Sequence, residues 1–298
     1  MQIYTEPRGS AQINKQQIVH NKTQRTMKTI STFTLALFFA AGTAFAQSND
    51  ATVDQEGNSN DATIEQTGSG QVSAIDQSGS SNTASSVQNS TSNSSEISIT
   101  QVGFYNTASA DHSGSGEITQ YQAGLNNSAV ARATSSSDVE QTQIGSGNEA
   151  LIAETGSRLN QNSSVEQYQV GFNNEASLSI WSGNGRHLDI EQIQVGSGNV
   201  SDISDVSHSN VLSTRQYGLN NSATLERGSS AFTGHTVDVL QLGDGNSATF
   251  TSNGQHNSYA GIEQFGLSNM ASIAHGSGDF ATISQEGYSN SATITQGN

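Results

Sequence analysis

Two groups of side chains in this sequence could do chemistry, and only one of them is phased. His112, His187, His208, His235, His256 and His275 could form a metal-binding or proton-titrating column. Their offsets drift, however, and no carboxylate partner recurs beside them, so they read as solvated residues of a variable turn. Asp244-Gly245-Asn246 lacks the nonapeptide repeat that would make it a calcium site. Gly114-Ser-Gly116 and Gly183-Asn-Gly185 follow no strand-to-helix pattern, so neither is a phosphate loop. Cysteine is absent, which removes thiolate and disulfide chemistry. No Ser–His–Asp set stands apart from the background of serine. The expectation is no enzyme, no cofactor and no metal.

The second group is amides, and these are strictly placed. The pattern Q-x-G-x-x-N-x-A begins at Gln55, Gln77, Gln101, Gln122, Gln143, Gln169, Gln216, Gln241, Gln264 and Gln285, with near matches at Gln66, Gln88 and Gln194. Its other positions are occupied by Gly103, Gly124, Gly145 and Gly171, by Asn106, Asn127, Asn148 and Asn174, and by Ala108, Ala129, Ala150 and Ala176. From Gln101 onwards the motif returns about every 22 residues, a period that marks a repeat architecture. The closer matches at Gln55, Gln66, Gln77 and Gln88 divide that unit into halves. The chemistry open to such a set is hydrogen bonding between stacked copies. At about 4.8 Å per rung, each side-chain carbonyl can accept from the amide of a neighbour, which satisfies polar groups that are costly to bury alone. Four successive units add a second inward glutamine, at Gln120, Gln141, Gln167 and Gln192.

Strands must position these amides. In Ser95-Glu-Ile-Ser-Ile-Thr-Gln101 one face carries Ser95, Ile97, Ile99 and Gln101, and the other carries Glu96, Ser98 and Thr100. Period two over this length is a strand signal. Gly103 lies where a tight turn needs a residue free of Cβ restriction, and Asn106, Ala108 and Ala110 begin the next face. One hairpin cannot bury its inner side alone, whereas stacked copies can. The expected fold is all-β: a β-solenoid, of amyloid-type cross-β character, with about eleven strand-turn-strand repeats over 47–298. In the middle units the second strand loses its glutamine and carries Ile152, Leu178, Ile180, Leu225 and Phe250. Outward residues after the motif glutamine (Val102, Ile144, Val170, Val195, Tyr217, Leu242 and Phe265) form an apolar column, read either as turn packing or as a lateral contact.

The ends differ from the repeats. Met27-Lys28, the apolar run 33–41 and Thr43-Ala-Phe-Ala46 read as a secretory signal peptide over 27–46, and 1–26 reads as an upstream over-extension of the reading frame. Of 10 Lys+Arg and 26 Asp+Glu in the chain, the repeats keep five arginines and all acids but Glu6. So acidic a chain does not seek nucleic acid or an anionic membrane, and no membrane anchor is visible. The only proline, Pro7, lies outside the repeats, where no ladder N–H is lost.

Ser95 to Ala108, read as S-x5-Q-x-G-x-x-N-x-A, resembles the curlin repeat of curli fibre subunits, and the resemblance covers essentially all of 50–298. It implies a secreted, self-assembling amyloid subunit of a Gram-negative bacterium, exported unfolded through an outer-membrane secretion channel. Such a subunit polymerises at the cell surface with a minor nucleating subunit, in fibres serving adhesion and biofilm matrix. The chain departs from the archetype in having about eleven repeats rather than about five, and in having no separate export-recognition tail after Ala46. The uncharged Ser291–Asn298 is more like the major subunit. Growth is expected by end-to-end stacking of the terminal units, near Ala51–Gln55 and Ala292–Gln296. The competing readings are a monomeric β-solenoid adhesin and an ice-binding module; the second would need a Thr-x-Thr array on every rung, and Thr293 and Thr295 supply one instance.

Overall fold

The computed structural model describes residues 48–90, 94–134, 136–154, 159–160, 163–180, 185–186, 188–205, 210–227, 234–254 and 257–297. The leader readings at 1–26 and 27–46, and His187, His208 and His256, lie outside these residues.

The described residues are overwhelmingly β-strand, without helix. Eleven strands form a first sheet: Asp50–Asn58, Val72–Ser80, Ser95–Phe104, Gly116–Leu125, Ser137–Ser146, Ser163–Phe172, Asp189–Ser197, Val211–Leu219, Thr236–Asp244, Tyr259–Leu267 and Phe280–Tyr288. Eleven more form a second: Asp61–Gly68, Thr83–Ser90, Thr107–Ser113, Ser128–Thr134, Glu149–Glu154, Glu175–Ile180, Val200–Asp205, Ser222–Arg227, Ser247–Ser252, Met270–His275 and Ser291–Thr295. Both sheets are parallel and ordered as the chain runs, so successive strands alternate between them and each unit makes one turn of a β-solenoid. Register is strict: Gln101 lies beside Gln77 and Gln122, and Gly103 beside Gly79 and Gly124. A slip of one residue would turn every isoleucine outward, so the buried face locks the register.

The core is thin. Ile97, Ile99, Ile118, Val139 and Ile190 of the first sheet are buried, as are Ala108, Ala131, Ile152, Leu178, Ile203 and Phe250 of the second. Insertions are taken up at the corner leading back to the first sheet, where Leu159–Asn160 pairs with Gly185–Arg186 as a small extra sheet that the periodicity does not announce.

The corner inside the motif needs two left-handed residues, not the one glycine that the sequence reading required. Gly103 has φ 117°, and two residues on Tyr105 has φ 57°. The second position is Ser81, Asn126, Asn173, Asn220 or Ser268 in other units, and Gly147, Gly198 and Gly245 where it is glycine. Asparagine and glycine suit this position because the left-handed region is least costly to them. Asp244-Gly245-Asn246, set aside above as a calcium loop, is one of these corners.

Candidate functional site

The functional geometry is the interior amide array and the two faces where it ends. An interior motif glutamine uses both amide hydrogens. Gln143 Nε2 donates to Gln169 Oε1 at 2.8 Å and to the Ser128 carbonyl at 2.8 Å, while Gln143 Oε1 accepts from Gln122 at 2.8 Å. The pattern runs without a gap from Gln55 through Gln77, Gln101, Gln122, Gln143, Gln169, Gln194, Gln216, Gln241 and Gln264 to Gln285, at 2.6 to 2.9 Å. Each donor in this ladder points its N–H towards the C-terminal end. The ladder therefore has a direction.

Asparagine supplies a second ladder with the opposite sense. Asn127 N and Nδ2 both donate to Asn106 Oδ1 at 3.1 Å, and Asn127 Nδ2 also reaches the Gly145 carbonyl at 3.2 Å. Asn106 meets Gly124, Asn148 meets Gly171 and Asn174 meets Gly196 in the same way. The glycine and asparagine of the motif are thus partners in neighbouring rungs. Ala108, Ala129, Ala150 and Ala176 are fully buried just beyond, where the small side chain lets the second sheet turn inward.

The additional glutamines form a third, shorter ladder, with Gln120 to Gln141, Gln141 to Gln167 and Gln167 to Gln192 each at 2.7 Å. Its far end explains one departure from the motif. Ser201 stands where other units have alanine, and its hydroxyl accepts from Gln192 Nε2 at 2.9 Å and bonds Thr214 Oγ1 at 2.6 Å. Ser73, likewise in an alanine place, donates to Ser86 at 2.7 Å.

The histidines require a correction. His112, His235 and His275 are buried, not solvated, because the drift in their sequence offsets arises from corner length and not from which way they face. His112 and His275 occupy the inner column of the second sheet that begins with Gln66 and Gln88 and returns to glutamine at Gln296. His275 packs edge-on against Phe250, with ring centroids 5.6 Å apart. Burial holds all three imidazoles below the ordinary histidine range. His235 is pushed down to about 4, first by burial and then by the charges of Arg227 and His275. A histidine kept neutral in the fold but protonated when unfolded stabilises fully above the unfolded pKa, near 6.5, and loses that contribution as pH falls towards 4. His235→Leu is therefore expected to gain on the wild type by up to about 3 kcal/mol between pH 7 and pH 4, read as the pH dependence of the difference in urea midpoints. A difference flat across that range would refute it. Among the described residues, no group of three or more His, Cys, Asp or Glu is placed to hold a metal ion.

The array ends on two unlike faces. At the N-terminal face Gln55 Oε1 receives no hydrogen bond among the described residues, and Asp50, Asp54, Glu56, Asp61 and Glu65 are exposed on the same first rung. At the C-terminal face Gln285 Nε2 spends one hydrogen on the Met270 carbonyl and keeps the other, and Asn290 Oδ1 has no donor there among the described residues. No described strand pairs with the outer edge of either terminal rung.

Comparison with known proteins gives one family. Residues 46–73 and 57–88 match the curlin associated repeat. No curated protein matches the chain. The matched stretch contains the Gln55 and Gln77 motifs, and the strands built from it continue in unbroken register through the later units: the chain carries curlin associated repeats at 46–88.

Proposed function

We propose that this protein is a secreted structural subunit that polymerises head to tail into extracellular curli-like amyloid fibres serving adhesion and biofilm matrix. The observation that carries the reading is the complementarity of the two terminal faces. The last rung, Ala281-Thr-Ile-Ser-Gln-Glu-Gly-Tyr-Ser-Asn290, repeats the first, Ala51-Thr-Val-Asp-Gln-Glu-Gly-Asn-Ser-Asn60, almost residue for residue. Continuing the internal register by one step sets Gln285 on Gln55 of the next copy, Asn290 on its Asn60 and Gln296 on its Gln66. The spare Gln285 N–H then meets the open Gln55 carbonyl, and Asn290 Oδ1 meets the donors of Asn60. Charge favours the same arrangement. Ser284, Ser291 and Thr295 fall opposite Asp54, Asp61 and Glu65, and acid meets acid only at Glu286 and Glu56, whereas two N-terminal faces would set several acids against one another. Unpaired parallel edges are templates for added strands, and here both edges offer matched side-chain ladders as well. A minor nucleating subunit and an outer-membrane secretion channel are the partners such a subunit needs.

Fibre diffraction on the purified protein after quiescent incubation, with thioflavin fluorescence followed in parallel, tests this. The expected outcome is one reflection at about 4.7 Å and another at about 10 Å, with a lag abolished by seeding. A stable, soluble β-rich monomer indifferent to seeds would move the assignment to a monomeric solenoid adhesin. Removing 280–298 leaves Gln264 and Asn269 to continue the two ladders but sets Glu263 opposite Asp54 and His275 opposite Gln66, where Ser284 and Gln296 had stood. Seeded elongation should fall at least tenfold, and unchanged kinetics would refute growth at this face.

A further inference from the structure

The outer face of the first sheet is divided along its strands, and the second sheet shows nothing comparable. The C-terminal half of the strands carries an apolar strip. Its central column runs from Val102 through Ile144, Val170, Tyr217 and Leu242 to Phe265, in register over eight rungs and without a charged residue. Two positions further along, Phe104, Leu125, Phe172, Leu219 and Leu267 stand on the same face, with Ser146, Ser197 and Asp244 at the remaining rungs, and Phe172 is 60 % exposed. The N-terminal half is acidic, with Glu96, Glu117 and Asp138 in one column and Glu140, Glu166 and Glu191 in the next. Burial, then the charges of Glu140 and Glu191, raise the Glu166 carboxyl above the ordinary range, as stacked like charges should. The outer face of the second sheet, by contrast, carries mostly short polar residues, such as Ser109, Ser177, Thr224, Thr249 and Ser272.

The geometry points to a lateral contact between two copies of this protein, apolar strip against apolar strip, with both stacks running in the same direction. Resting as it does on the fibre reading above, the contact joins neighbouring stacks and leaves the growing ends free.

Size and charge select this occupant. On the acidic side the central column is flanked by one running from Thr100 through Tyr168, Ile193 and Leu240, in which Arg215, paired with Asp238, and Glu263 are the charged members. Eight rungs at about 4.8 Å, across these three outward positions, make a strip roughly 38 Å by 15 Å. A pair then covers on the order of 1,100 Å² in total, enough for a specific contact. Another acidic copy can meet the strip only if the carboxylate columns avoid one another. A two-fold axis parallel to the stack lays strip on strip and sends the acidic columns to opposite flanks, both in water. A two-fold axis along the strands would also superimpose strip on strip, but it would lay Glu140, Glu166 and Glu191 on their own equivalents. Like charges so opposed are destabilising, so the antiparallel pair is disfavoured. The central column changes to Ser78 and Glu286 beyond its two ends, which confines the strip to the interior of each subunit.

Mass per unit length of fibrils, measured by scanning transmission electron microscopy, is the test. Wild-type fibrils are expected at twice the value of a single stack. The triple variant Ile144→Ser, Tyr217→Ser, Leu242→Ser, altered only at outward positions, is expected at the single value with seeded elongation within about twofold of wild type. Wild-type fibrils of single mass, or a variant that stays doubled, would overturn the contact while leaving head-to-tail growth intact. Cryo-electron microscopy of the wild-type pair reads the orientation without any variant, and antiparallel stacks joined through this face would overturn the inferred arrangement. Failure of the wild type to form seedable fibrils would instead strike at the assembly reading itself.

Discussion

Gly145→Ala is expected to break the solenoid in two. Gly145 sits at φ 125°, where an L side chain is strained whatever the surroundings. Here the surroundings forbid it as well. A Cβ would lie on the carbonyl oxygen of Gly171 in the next rung and within 2.9 Å of the carbonyl carbon, and both are backbone. No rotamer relieves such a clash; the rungs must move apart. Moving them also parts Asn148 Nδ2 from the Gly171 carbonyl and Asn174 Nδ2 from Asn148 Oδ1. A loss above about 4 kcal/mol is expected, in the range reserved for backbone strain combined with broken networks. Because each rung touches only its neighbours, the damage should be local. Hydrogen exchange should lose protection first at Gln143–Ala150 and Gln169–Ala176, with the outer rungs following later. Gly278→Ala is the control: its φ of 73° lies in the left-handed region that an L residue reaches at smaller cost than φ 125°, and nothing lies within 4 Å of the added carbon. Equal destabilisation by the two substitutions would show that stacking of the glycines does not matter.

Gln143→Glu is expected to be nearly as damaging, and its damage should depend on pH. The side chain is fully buried. Its amide nitrogen faces two acceptors, Gln169 Oε1 and the Ser128 carbonyl. A carboxylate there would put an oxygen against both and a charge where none is paired. Removing one partner of a buried polar set costs about 1–3 kcal/mol, and an uncompensated buried charge about 3–5 kcal/mol. The carboxyl escapes by holding its proton, which restores one donor, so its pKa in the fold is raised above the unfolded value. A raised folded pKa contributes stability that is present at low pH and lost as pH rises through it. The variant should therefore lie within about 2 kcal/mol of wild type near pH 4 and at least about 3 kcal/mol below it at pH 8, with denaturant midpoints as the measure. A deficit independent of pH would mean that the site is hydrated and the ladder is not what holds the rungs.

Much of this is written in the linear order of residues. Ile97 and Ile99 alternate with Glu96 and Ser98, and Gly103 and Asn106 follow at fixed offsets. The pattern recurs about every 22 residues, as a stacked repeat requires. It leaves one arrangement that buries every copy: parallel strands stacked in register. Periodicity is a local property repeated, so a linear reading recovers it. It also identifies the residues of the ladders, because inward parity and constant offset are visible in the chain.

Other features depend on what lies one rung away, and no single unit contains that information. The need for glycine at 103 and 145 comes from the backbone of the next copy pressing on them as well as from their own turns. Ser201 is a lapse from the motif until Gln192 and Thr214 are seen on either side of it. The histidines read as solvated because their offsets drift, yet corner insertions change an offset without changing the face. Their burial is decided by packing against residues of the neighbouring rung, such as Phe250. The direction of the amide ladders and the division of the outer face into acidic and apolar halves are likewise products of stacking. Period and parity are enough to give the repeat, the strands, the inward residues and hence the solenoid, because each is a property of one unit copied along the chain. Which amide donates to which, which irregular residues are buried and how the two ends differ are relations between rungs, and these are fixed only when the folded chain brings the rungs together.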